Sequence, residues 1–232
     1  MSKIVWDKSG ERLYETGVNH GVLYPMTSSG TYGTGVAWNG LTSVSESPDG
    51  AEANDLWADN IKYATLRSTE TFGFTIEAYM YPDEFALCDG TASPVDGVYL
   101  GQQSRKPFGF VYRTEVGNDT STEEDDSYKL HIVYNATASP SDKDYETIND
   151  SPDAITFSWE CDTTPVNVTG YKPVSTIVID SSKFKESAAA EKLALLESKL
   201  FGTDGQGSGT GTDPMLPDPD TVIGILNGTI TT

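Results

Sequence analysis

Apolar and polar residues alternate with a period of two along most of this chain, the pattern of half-buried β-strands. In Phe72–Tyr81, the residues Phe72, Phe74, Ile76, Ala78 and Met80 share one face, with Gly73, Thr75, Glu77 and Tyr79 on the other. Ala154–Asp162 repeats the pattern with Ile155, Phe157, Trp159 and Cys161. Pro107–Thr114 groups Phe108, Phe110 and Tyr112, and Lys129–Asn135 groups Leu130, Ile132 and Tyr134. Asp59–Ser68 alternates Ile61, Tyr63, Thr65 and Arg67 against Lys62, Ala64 and Leu66. Val174–Asp180 is apolar on both faces, as in a central strand. Further strands are predicted around Val36–Val44 and Val98–Gln102, whereas residues 8–35 carry little pattern. So many short strands with frequent turn signals predict a mainly β fold, a two-sheet β-sandwich or barrel.

Helical spacing is confined to two places. Pro82, Asp83 and Glu84 suit the first turn of a short helix that Gly90 would stop. From Lys183 to Phe201, Ala189, Leu193, Leu196 and Leu200 form one stripe, with Ser182 as N-cap and Gly202 as stop. A lone helix is marginal in water, so this stripe is expected to pack on the chain's own sheet. The chain then divides into a β domain over 1–182, a flanking C-terminal α-helix over 183–201, a Gly-rich linker over 202–213 and an extended C-terminal arm over 214–232. In the arm, Val222–Leu226 is expected to add a strand. No internal repeat is evident.

Charge narrows the partners. The net charge is −20, and residues 1–180 hold 11 of the 15 bases and 28 of the 35 acids, so the main body alone stands at −17. Such a surface repels nucleic acid and anionic membranes, besides keeping the protein soluble. Glu115–Ser127 carries six acids and no base between two predicted strands. It reads as a solvated hairpin tip, with Asp119, Glu123, Glu124, Asp125 and Asp126 as its acids. Calcium binding there lacks the D-x-[DN]-x-[DN]-G spacing.

Catalytic chemistry finds little support. His20 and His131 are the only histidines, and Cys88 and Cys161 have no metal spacing. There is no HExxH, no GxxxxGK[ST], no GxSxG elbow and no proper GxGxxG, so neither cofactor nor metal is expected and the chain does not read as an enzyme. The opening MSKIVWDKSGERLY lacks an apolar signal-peptide region, and no stretch is long enough to span a membrane. The expectation is a chain folded in the cytoplasm, where a disulfide and glycosylated sequons are not expected.

Several segments carry a resemblance. Gly50–Gly90 reads GAEANDLWADNIKYATLRSTETFGFTIEAYMYPDEFALCDG, and Gly101–Thr120 reads GQQSRKPFGFVYRTEVGNDT. Tyr128–Val166 carries KLHIVY, TINDSP, SWE and TTPV in that order, and the end reads LLESKLFGTDG, then MLPDPDTVIGIL. These segments resemble major tail tube proteins of long-tailed, non-contractile bacteriophages over most of the chain from Gly50 onward. The resemblance implies a sandwich subunit that forms hexameric rings stacked into a tube, whose acidic lumen lets double-stranded DNA pass without specific binding. It also implies a virion location after assembly in the bacterial cytoplasm, with tape measure, tail terminator and distal tail or baseplate proteins as further partners.

Within that frame, Ser45–Asp59 is a long connection between two predicted strands. Pro48, Asp49, Gly50, Glu52, Asn54, Asp55, Leu56 and Trp57 make it a candidate inter-subunit loop bridging successive rings, since an exposed Trp is a favoured interface anchor. The competing reading is that Trp57 starts the next strand and packs in its own core. Two other functions stay open: a secreted or surface carbohydrate-binding β-sandwich, which needs an aromatic cleft, and a glycoside-processing enzyme, which needs paired carboxylates in one.

Overall fold

A computed structural model describes residues 3–120, 127–145, 147–148, 153–205 and 211–230. The fold is mainly antiparallel β with two α-helices. Twelve strands are present among the described residues: β1 (Leu13–Pro25), β2 (Val36–Trp38), β3 (Leu41–Asp49), β4 (Ala53–Ala58), β5 (Ile61–Arg67), β6 (Thr71–Ala78), β7 (Ala92–Val95), β8 (Val98–Leu100), β9 (Phe108–Asn118), β10 (Ser127–Ala138), β11 (Phe157–Thr163) and β12 (Thr176–Asp180). The helices are α1 (Ser187–Phe201) and α2 (Pro219–Asn227).

Eight strands form one sheet in the order β2-β1-β9-β10-β11-β6-β3, with β12 also on β10. The two sheets expected from the alternation are therefore hydrogen-bonded into one. The join is β10, whose residues Lys129–Val133 pair β12 while Ala136–Ala138 pair β11. A bulge between Val133 and Ala136 marks the switch, with Asn135 at φ 48. The terminal strands β2 and β3 are only Asn39 and Gly40 apart in the chain, Gly40 at φ 81. The sheet must therefore curl until its ends nearly meet, which removes most free edge from the central strands.

Curling creates an inside and an outside. Inside, Trp38, Phe74, Phe85, Phe108, Phe110 and Trp159 form an aromatic core with Leu23, Ile76, Val133 and both cysteines. Trp38 sits at the seam, donates to the Met80 carbonyl at 3.0 Å and lies 4.6 Å from the Phe85 ring. Phe85 comes from a short 3-10 helix, Asp83–Leu87, at the place where Pro82 and the acids announce a helical turn. Burial pushes the Cys88 thiol up to about 12, so it stays a protonated core group. At the core's edge, Asp89 is buried between Arg105 at 3.3 Å and Lys143 at 2.7 Å.

Outside, Val22, Tyr24, Val111, Leu130, Ile132 and Tyr134 face Leu193, Leu196 and Leu200 of α1 and Val222 and Ile225 of α2. The predicted α1 stripe packs on its own sheet, and β9 and β10 are buried on both faces. The helix starts at Ser187, not near Lys183, and Ser182 is no N-cap. Asp180 accepts from the Ser182 N–H and winds Ser181–Lys183 into a separate 3-10 turn first. β12 is an edge strand and not a central one: it pairs only with β10, and Val178 is exposed.

The C-terminal arm is corrected more sharply, since its end is helical and adds no strand. Asp218 caps the Thr221 N–H at 2.8 Å, Pro219 occupies the first turn, and Gly228 at φ 84 ends the helix. These are the signals of a helix with Pro at its start and Gly past its end. Leu216 reaches the sheet over Gly109, where a Cβ would stand 2.1 Å from the Leu216 Cδ2. The two ends of the Gly-rich linker are pinned by an antiparallel bridge between Thr203 and Thr212.

Candidate assembly surface

The predicted Ser45–Asp59 connection is not a loop. Ser45–Asp49 continue β3 beside β6, and Pro48 and Asp49 lie opposite Phe72 and Thr71. The chain turns at Gly50, whose φ of 90 and 2.5 Å approach of a Cβ to the Thr69 carbonyl oxygen leave room only for glycine. Ala53–Ala58 then pair with Ile61–Arg67 as a separate two-stranded hairpin, β4–β5, turned by Asp59 and Asn60 at φ 50 and 62. Two positive φ values make this a tight hairpin turn that matches the strand twist. Sequence reasoning missed β4 because an Asp-Asn turn was read as the start of a strand.

Register sorts the hairpin into two faces. Asn54, Leu56 and Ala58 lie opposite Leu66, Ala64 and Ile61, so one face is almost wholly apolar. Ala53, Asp55 and Trp57 lie opposite Arg67, Thr65 and Lys62, so the other is polar around one indole. Asp55 takes Lys62 at 2.8 Å and the Thr65 hydroxyl at 2.8 Å, which together hold its carboxyl below the usual range. Among the described residues nothing buries either face. Trp57 is 68% exposed, Ile61 62% and Tyr63 74%. The reading in which Trp57 packs in its own core is excluded, and Glu52 and Asn54 are likewise exposed. Isolated hairpins are marginal in water, and clustered apolar exposure marks an interaction site.

A second hairpin, β7–β8, also projects with Val95, Val98, Tyr99 and Leu100 exposed. Sequence reasoning predicted its second strand alone.

The sheet face not covered by helices is acidic. Along β3, β6 and β11, Ser43, Ser45 and Ser47 lie beside Glu77, Thr75 and Gly73, which lie beside Ser158, Glu160 and Asp162. Three carboxylates and a field of hydroxyls face outward with no base among them, and Ser43 donates to Glu77 at 2.7 Å. The signal was in the sequence: these residues are the polar partners of the alternating core positions.

The acidic tip is reached only at Asp119. Its carboxylate accepts from the Gly10 N–H at 2.9 Å and lies 3.8 Å from Arg12, so it anchors the N-terminal segment and is not a free tip acid. Glu123, Glu124, Asp125 and Asp126 lie outside the described residues. Among the described residues no group of His, Cys, Asp and Glu is placed to hold a metal ion, and no helix is long and apolar enough to cross a membrane. No protein-family model and no curated protein matches the chain.

Proposed function

We propose that this chain is a structural subunit, not an enzyme, and that it self-assembles into the tail tube of a long-tailed phage or a tail-derived particle. The observation that carries this reading is the β4–β5 hairpin, which leaves Leu56, Trp57, Ile61 and Leu66 exposed on a two-stranded ribbon. A soluble chain does not maintain such a ribbon without a surface to cover it. The resemblance noted above supplies the form of assembly: hexameric rings of tail-tube-type sandwich subunits, stacked so that the hairpin bridges neighbours.

The acidic sheet face supports the conduit part of the reading. Duplex DNA carries one charge per roughly 1.7 Å of axis, and each basic contact would release counterions and hold it. A wall bearing Glu77, Glu160 and Asp162 among hydroxyls repels the backbone and lets it slide. Tape measure, terminator and distal tail proteins are then the other partners, and the virion is the location. The carbohydrate-binding alternative is weaker, because Trp38 and Trp159 are spent in the core.

Trp57→Ala tests the proposal. Because Trp57 is 68% exposed, the variant is expected to fold with an unchanged denaturation midpoint. In negative-stain images and sedimentation it is expected to remain dispersed where the parent chain forms tubes. A parent chain that stays monomeric at high concentration would refute the function.

A further inference from the structure

An open cleft of about 630 Å3 lies where β1 and β2 meet the end of α1. His20, Val22, Trp38 and Phe201 line it, and Gly35 passes so close to Tyr24 and Val22 that a Cβ would not fit. Its size falls within the range of roughly 300–1,000 Å3 typical of ligand pockets. It is built around a local distortion. β1 slips register against β9 on both sides of Asn19, and His20 is held at φ 52, an uncommon conformation for a residue with a side chain.

The distortion aims the imidazole. Asn19 donates through Nδ2 to Glu115 at 2.6 Å, which turns its Oδ1 toward the His20 Nδ1 at 2.7 Å. Nδ1 therefore carries the proton, and Nε2 presents a lone pair. No described residue donates to it. Burial lowers the His20 pKa below its usual value, with Arg113 adding to the effect against Glu197 and Glu115. The ring is neutral near pH 7, so none of the ten lining residues carries a charge.

On a chain of net charge −20, an uncharged cleft is where a second copy can approach without repulsion. The β4–β5 hairpin is matched to it. Ala53–Arg67 contains two acids and two bases, so the segment is neutral overall. Trp57 makes no hydrogen bond within the described chain, and its indole N–H is a donor without an acceptor. Lys62, opposite Trp57, is already paired with Asp55 at 2.8 Å, so no unpaired charge enters beside the indole. Arg113, which acts electrostatically on His20, is itself held 3.5 Å above the Tyr128 ring.

We infer that this cleft is the receptor for the hairpin of a second copy, with the Trp57 indole seated against Phe201 and its N–H donated to His20 Nε2. The inference rests on the self-assembly reading and names its contact. Cysteine pairing tests it, because Cys88 and Cys161 are both buried. Lys62→Cys and Asn39→Cys place thiols opposite Trp57 on its own face and on the cleft rim, at exposed positions that leave the core intact. An oxidised mixture of the two variants is expected to yield disulfide-linked dimers that Asn39→Cys alone does not. Tubes without these dimers would overturn the docking and leave self-assembly standing. Dimers of Lys62→Cys alone would mean that hairpins meet each other, and would also overturn it. Neither tubes nor dimers at any concentration would remove both readings. In parallel, Trp57→Phe keeps the ring and loses the donor, and should raise the assembly threshold about fivefold, the worth of one neutral hydrogen bond. An unchanged threshold would count against the His20 contact.

Discussion

The His131 ring lies flat on the Tyr112 ring, with centroids 4.5 Å apart and planes 8° from parallel. The two residues lie directly opposite each other on β10 and β9, on the inner face of the curled sheet, where Tyr112 also stacks on Phe110 of the aromatic core. Around it, Glu46 of β3 accepts from the Tyr112 hydroxyl at 2.7 Å and lies 3.3 Å from His131 Nδ1, without hydrogen-bonding alignment. Glu15 of β1 pairs with Lys129, accepts from Thr114 and lies 3.7 Å from His131 Nε2. Strands far apart in the sheet order thus meet through one polar cluster.

That cluster predicts acid sensitivity. Contacts with His131 and then Tyr112 hold the Glu46 carboxyl below its usual value of 4.5, against a desolvation that raises it. Lys129 and Thr114 do the same for Glu15. Groups with depressed folded values stabilise the fold above their unfolded pKa and lose that contribution as pH falls through the folded value. Thermal midpoints should therefore hold steady down to about pH 5 and drop below about pH 4.5. Glu46→Gln should lower the neutral-pH midpoint and flatten the acid limb. An unaltered acid limb in this variant would contradict the assignment.

Leu196→Ala is expected to cost about 2–5 kcal/mol in denaturant unfolding. Leu196 is fully buried between α1 and the outer sheet face, so its loss leaves a cavity that a rigid helix cannot fill. A change near zero would mean that α1 does not depend on the sheet.

Asp218→Ala should cost about 1 kcal/mol by removing the cap on the Thr221 N–H. Hydrogen exchange should show the loss first at the start of α2. Asp218→Asn should recover most of it, since asparagine caps as well as aspartate.

Replacing Glu160 and Asp162 by lysine reverses the sign of the uncovered sheet face. Gel shift with duplex DNA is expected to show no retention by the parent assembly near 0.15 M salt and clear retention by the variant. The variant's binding should weaken steeply as salt rises, because basic contacts release counterions. Retention by the parent chain would refute the sliding wall.

The sequence by itself determined the strand class and most of the core. Residues such as Phe74, Ile76, Phe110, Trp159 and Leu196 are buried where alternation or helical spacing placed them, because that spacing is a direct consequence of backbone geometry. The end of the chain was misread: the short apolar run Val222–Leu226 looked like a strand and masked Asp218-Pro219 and Asn227-Gly228, the start and stop of α2. β1 was illegible because its bulges at Asn19 break the period on which strand reading depends. Only the tertiary structure decided that β10 joins the two halves of the sheet, and that its ends meet beside Trp38. Only it decided that β4–β5 stands clear of the body, while Glu46 and His131 come together across the sheet. These are matters of pairing between distant strands. Local patterning fixes which face of a strand is apolar, but says nothing of which strand will lie beside it.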